Sequence, residues 1–162
     1  MPTSWRRIVR EKVLQALYAY EISKEPIATV AEHVLGPLRT HKSDFDFSRS
    51  LLFAVVQHET DLDKIIKSKA ANWQFERIAI IDMLLLRMGI CELLYFSDIP
   101  PKVSINEAIE IAKTFSTEKS GQFVNGILDA VFEELKSSEK LKKTGRGLIN
   151  HSLNESEAKP KK

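Results

Sequence analysis

The chain has 162 residues, 43% of them hydrophobic, and a formal net charge of +2, enough for one domain of ordinary size or two tightly fused halves around a real core. Gly and Pro are scarce and no segment alternates apolar and polar residues for long, which excludes β-rich architectures and predicts an all-α protein. Single Cys91 excludes an intramolecular disulfide and, set in the most apolar stretch, reads as a small core residue in a reducing compartment.

A first helix is expected to start at Thr3 or Ser4, either able to accept a hydrogen bond from an orphan amide of the first turn. Trp5, Ile8, Val9, Val13, Ala16, Leu17 and Tyr20 recur at the three and four spacings of a buried stripe, running to about Ile22. Arg6, Arg7, Arg10 and Lys12 take the other side, offset only by Glu11, so one end of this helix is strongly positive. No apolar block follows these cations, which argues against a secretory signal; a cytoplasmic protein is expected.

Pro26 suits the first turn of a second helix with Ile27, Val30, Ala31, Val34 and Leu35 inward, ended by Gly36 and Pro37. Ser43 or Asp44 is expected to cap a third, whose apolar side carries Phe45, Phe47, Leu51, Leu52, Val55 and Val56. Thr60 and Asp61 read as the cap of a short helix with Leu62, Ile65 and Ile66, ended near Asn72.

The stretch from Phe75 to Phe96 is apolar on every side, which indicates a central helix covered by neighbours. Its length also fits a membrane span, but Asp82, Arg87 and Glu92 lie inside it at five-residue intervals. Each would cost about 2.5 to 3.5 kcal/mol at the centre of a bilayer, so a membrane location is rejected. Pro100 and Pro101 stop this helix. Ser104 and Glu107 have capping-box spacing for the next, with Ile105, Ala108, Ile109, Ala112 and Phe115 inward and an end near Ser116.

A last helix begins between Thr117 and Gly121 and carries Phe123, Val124, Ile127, Leu128, Val131, Phe132 and Leu135. Asn125-Gly126 would signal a hairpin elsewhere, but the flanking period is 3.6. A glycine there costs about 1 kcal/mol relative to alanine, which calls for close packing or a ligand at the backbone. From about Ser137 the periodicity fails. Seven cations against three carboxylates leave a tail of net +4 with little to bury, expected to be mobile.

Catalytic chemistry finds no support. His33, His41, His58 and His151 lack zinc-site spacing, and there is no glycine-rich phosphate loop, dinucleotide fingerprint or nucleophile elbow. Neither enzyme activity, metal nor cofactor is expected. Asp82, Arg87 and Glu92 read as charges on the helix margin or paired within the bundle. The arginine cluster of the first helix is either a solvated face or a nucleic-acid contact, for which the planar guanidinium suits phosphate and base stacking. Phe115, Phe123 and Trp73 are either core or platforms for unpaired bases.

These residues resemble the NusB family of bacterial transcription antitermination factors. The likeness begins with Arg6-Arg7-Ile8-Val9-Arg10-Glu11 and Val13-Leu14-Gln15-Ala16-Leu17-Tyr18, and resumes at Glu76-Arg77, Asp82, Leu86-Arg87 and Glu92-Leu93. It is densest from Ile99 to Lys113, in IPPKVSINEAIEIAK, and at Phe115 and Phe123-Val124-Asn125-Gly126-Ile127-Leu128, covering roughly residues 4 to 136. The resemblance implies two packed three-helix bundles with an added short helix, about seven helices in all. Their spans would be about 4–72 and 73–136, followed by the basic tail 137–162.

The resemblance also implies a function: binding of single-stranded boxA RNA in ribosomal RNA leader transcripts together with a small-subunit ribosomal protein, called NusE in this role. Other antitermination factors and RNA polymerase are engaged indirectly. Carried over by position, Arg6, Arg7 and Arg10 are similar to the family's RNA-contacting start. Phe123 resembles its base-stacking aromatic, with Gln122 and Lys119 on the same rim and Lys113 as a further candidate. Tyr18 and Asp82 look like positions that meet the ribosomal protein. Lys119 stands where some members carry an acidic residue, which predicts stronger RNA binding here. The alternatives are a helical interaction or homodimerisation module, and a stand-alone relative of the RNA-binding domain of ribosomal RNA cytosine methyltransferases.

Overall fold

The computed structural model describes residues 4–70 and 75–148. Among them the regular structure is entirely helical: α1 (Trp5–Ser23), α2 (Ile27–Leu35), α3 (Lys42–Gln57), α4 (Glu59–Lys69), α5 (Ile80–Tyr95), α6 (Pro101–Phe115) and α7 (Glu118–Ser137), with 3-10 turns at Gly36–Thr40, Phe75–Arg77 and Gly145–Leu148. α1, α2 and α3 pack on one another, as do α5, α6 and α7, giving the two three-helix bundles expected. α4 is the added helix and packs chiefly against α5 and α7.

α5 joins the two bundles, touching α1, α3, α4, α6 and α7. Its all-round apolar sequence has this cause: Leu85, Leu86, Ile90, Cys91 and Leu93 are fully buried, because helices pack on α5 from several sides. Burial pushes the Cys91 thiol up to about 12, so it is inert at neutral pH. The three charges inside α5 are each paired within the bundle. Five residues correspond to about 140° of helix rotation, so they point at different helices. Asp82 receives a hydrogen bond from Ser120 of α7. Arg87 forms a two-pronged pair with Asp63 of α4 at 2.8 and 3.0 Å, and Glu92 meets Arg10 of α1.

Several expected caps differ. Ser4 does cap α1, accepting from the Arg7 amide at 3.1 Å, and Thr117 caps α7 through the Ser120 amide; Thr3 lies outside the described residues. α3, however, begins at Lys42 with His41 before it, and Asp44 is turned instead to Trp5 and Arg6 of α1. α4 begins at Glu59, ahead of Thr60. The capping box at Ser104 is also corrected. Pro101 occupies the first position of α6, where its fixed φ favours the helix and its missing N–H is not needed. Ser104 therefore lies one turn inside and donates to Glu92 at 2.6 Å, while Glu107 accepts from Arg7.

Gly126 stays within α7, but a Cβ there would meet nothing within 4 Å, so close packing is not its reason. After α7 the chain does not leave the surface at once. Glu139 takes a left-handed φ of 61°, with Lys140 N–H reaching Leu135 O at 2.9 Å, and this Schellman-type end turns the backbone toward α5. Leu141 packs on the core, and contacts continue to Leu148 in a segment expected to be mobile; residues 149–162 lie outside the described residues.

Candidate nucleic-acid interface

The charged end of α1 begins one edge of the molecule. Arg6 lies with its guanidinium 4.2 Å from the ring centre of Phe47 and bonds Asp44 at 3.1 Å. Arg7 reaches across to α6 and holds Glu107 through two hydrogen bonds of 2.7 and 3.0 Å. The Glu107 hydrogen bonds raise the Arg7 pKa against the opposing effect of burial. Both side chains remain partly open to solvent.

Arg10, expected on the same RNA-facing set, is not part of this edge. It is 3% exposed, and its guanidinium is held by both Glu92 oxygens at 2.8 Å. Burial works against its charge, but the Glu92 carboxylate and its hydrogen bonds outweigh that and raise its pKa. The spacing of three and four that put Arg6, Arg7 and Arg10 together in sequence turns Arg10 inward, into the joint of α1, α5 and α6.

From Glu107 the edge continues along α6 to Glu110 and Lys113, successive positions on one face. Lys113 bonds Glu110 at 3.1 Å, and its stem lies across Gly121 of α7, where a Cβ would come within 2.7 Å of Lys113 Cγ. Beyond Gly121 come exposed Lys119 and Gln122 and half-buried Phe123, which also packs on the core. Lys119 forms no ion pair among the described residues. α6 thus bridges the cationic start of α1, through Arg7 and Glu107, to the start of α7, where Lys113 lies across Gly121; Lys119, Gln122 and Phe123 follow on the first turns of α7.

Tyr18 is 42% exposed, three turns or about 16 Å up α1 from Arg7 on nearly the same face. Asp82, expected at a protein contact, is instead 7% exposed in the joint of α5 and α7. Its Oδ2 accepts from Ser120 at 3.1 Å, and its Oδ1 has no hydrogen-bond partner among the described residues. Burial raises its pKa above the ordinary 3.8, only partly offset by Ser120.

The folded state therefore holds the Asp82 proton more tightly than the unfolded chain does, and the carboxyl loses stabilising effect as pH rises from about 4 through its raised value. Asp82→Asn should accordingly gain on the parent between pH 4 and pH 7 in urea melts. A difference that shrinks over that interval would show that the carboxylate is better accommodated than its surroundings indicate.

Two residues join this edge without having been expected there. Trp5, read as core, is 45% exposed, its ring tilted on His41 and its indole N–H donating to Asp44. Arg146, read as tail, lines the same cleft as Trp5 and Arg6. The one sequence signal for Arg146 was its position between Gly145 and Gly147 in a stretch otherwise poor in glycine. Phe115 is exposed at the end of α6, while Trp73 lies outside the described residues. No group of three or more His, Cys, Asp or Glu among the described residues has metal-site geometry, and no described helix is long and apolar enough to cross a membrane.

Residues 7–133 match the family model described as the NusB family. The chain is 49% identical over 150 residues to a transcription antitermination protein NusB of Chloroherpeton thalassium, covering 90% of this chain and 69% of that protein. The NusB of Salinibacter ruber is 47% identical, over 90% of this chain and 92% of its own length. Among solved structures, T. maritima NusB superposes with a TM-score of 0.75 at 35% identity, over 86% of this chain and 98% of that one. A complex of the antitermination factors NusB and NusE with double-stranded RNA has the same fold, with a TM-score of 0.72 at 23% identity over 80% of this chain and 96% of that one. With the family model spanning seven helices and both bundles, this chain belongs to the NusB family of transcription antitermination proteins.

Proposed function

We propose that this protein binds single-stranded boxA-type RNA in ribosomal RNA leader transcripts together with a small-subunit ribosomal protein in the NusE role. In doing so it promotes read-through by RNA polymerase in the cytoplasm, acting by binding alone and without catalysis or a cofactor. The observation that carries this reading is the run from partly exposed Arg6 and Arg7 of α1, across Glu107 and Lys113 of α6, to Gly121 of α7. With Lys119, Gln122 and Phe123 read as the rest of its rim, it would offer cations to a phosphate backbone and an aromatic side chain to an unpaired base. The capture of a NusB of this fold with NusE and double-stranded RNA supports RNA and NusE as the partners. Tyr18, exposed on the same side of α1, is assigned to the ribosomal protein.

The test is a titration of a fluorescent boxA-like RNA, single-stranded and as a duplex, across a salt series with and without the ribosomal partner. The single strand should bind more tightly, and the partner should strengthen it. Each phosphate contact removed in Arg6→Ala/Arg7→Ala or Lys119→Asp should lower the slope of log K against log salt by about 0.7. Phe123→Ala should weaken binding by about 5- to 150-fold, the equivalent of one stacked base, with little change of slope. Absence of binding by the parent under every condition would refute the reading in favour of a protein-interaction module.

A further inference from the structure

The segment after α7 is held against the end of α5 at three points. Lys143 Nζ donates to the carbonyls of Glu92 at 3.0 Å and Phe96 at 2.8 Å, placing a cation on carbonyls at the negative end of that helix. The Thr144 amide donates to Ser97 O at 2.9 Å. Gly147 is buried so closely on the same turn that a Cβ would lie 1.9 Å from Ser97 O. Gly145 has a φ of +53°, which bends the chain between the second and third of these contacts. Arg146 sits between the two glycines, exposed, on an open cleft of about 600 Å³ that it shares with Trp5, Arg6, Asp44, Asp98 and Glu107.

Without this segment the part of the cleft beyond Arg6 would carry no cation free of a carboxylate partner. Arg6 is paired with Asp44, Arg7 with Glu107 and Arg10 with Glu92, which leaves Asp98 as its uncompensated charge. Between Lys140 and Leu148 the segment carries four cations and no carboxylate. It places Arg146, which forms no ion pair among the described residues, in the cleft, and Lys143 next to it on the end of α5. Arg146 thereby offsets Asp98.

We propose that residues 140–148 form a docked arm that completes a second subsite for the RNA strand, in which Arg146 contacts a backbone phosphate and Trp5 offers its exposed ring to a base. This rests on the RNA-binding reading above and extends the edge beyond Arg6, on the side away from Phe123. A guanidinium beside an indole face is suited to a single strand, which presents phosphate and base together.

The test uses the full chain and a fluorescent boxA-like single-stranded RNA over a salt series, with Arg146→Gln, Gly147→Ala, the two combined, and Phe123→Ala as reference. Arg146→Gln should weaken binding about 3- to 10-fold and lower the salt slope by about 0.7, the value for one phosphate on a single strand. Gly147→Ala, which forces the arm off Ser97, should produce the same loss, and the combined variant no more than either alone. The arm is refuted, with RNA binding itself intact, if Phe123→Ala weakens binding while Arg146→Gln leaves affinity and slope at the parent values. It is equally refuted if Arg146→Gln and Gly147→Ala add. A parent that binds no RNA would remove both this subsite and the function on which it rests.

Discussion

Arg10→Ala should lower the stability of the protein by about 3 to 5 kcal/mol, the range for a buried ion pair that loses one partner. Arg10 is 3% exposed and Glu92 2%, and the removal would leave a carboxylate among α1, α5 and α6 with, among the described residues, only Ser104 to donate to it. Arg10→Lys should lose part of that amount, because an ammonium cannot reproduce the two parallel bonds of 2.8 Å to the Glu92 oxygens. Replacing Arg10 and Glu92 by methionine together with Ser104→Ala should return most of the stability, since no charge or hydroxyl is then left unpaired. Denaturant midpoints at constant m-value would measure all three. If Arg10→Ala unfolds at nearly the parent midpoint yet loses RNA affinity, Arg10 is a surface contact in solution and the buried pair is not what holds it. The RNA titrations for this reason change Arg6 and Arg7 and leave Arg10 in place.

Arg10 also marks the limit of what the sequence makes legible. Helical periodicity located all seven helices, because each amphipathic stripe is a direct record of the face it buries. The continuous apolar run of α5 identified the helix that joins the bundles. What periodicity cannot resolve is a charged residue at the margin of a stripe. Arg6, Arg7 and Arg10 look alike in the sequence, and only the presence of Glu92 on another helix decides that the third points inward. The same applies to Ser104 and Asp44. Each has the local chemistry of a cap, and each instead bonds a side chain far away in sequence.

Phe123, Lys119 and Gln122 entered the candidate site through resemblance alone, whereas the parts of the edge that depend on tertiary docking carry no signal in the sequence. Trp5 fell on the buried stripe by spacing but sits on the exposed first turn, where its ring lies against only His41 and Asp44 among the described residues. Arg146 was obscured by composition, since a lysine-rich segment with few apolar residues reads as solvated. Its order comes from backbone contacts to Ser97 and from Lys143 on two helix-end carbonyls, neither of which leaves a hydrophobic pattern.

Leu86→Ala should cost about 4 to 5 kcal/mol, the upper end for a buried leucine, and Leu35→Ala about 2 to 3 kcal/mol, although both side chains are fully buried and the atoms removed are the same. The difference lies in how far each site can close over the missing atoms. Leu35 is on α2, a nine-residue helix packed on α1, α3 and the adjoining turn at Gly36–Thr40, and α2 can settle inward. Leu86 is on α5, whose position is set at once by five other helices and by the pairs of Asp82, Arg87 and Glu92 with three different neighbours. Movement that fills the cavity on one side opens space on another. Urea melts of the two variants would give the comparison directly. Equal losses would mean that α5 relaxes as freely as a peripheral helix. Because α1, α6 and α7, which carry the cationic and aromatic edge, are all seated on α5, the Leu86 variant should keep the parent RNA affinity wherever it is still folded and lose it only along its own unfolding curve.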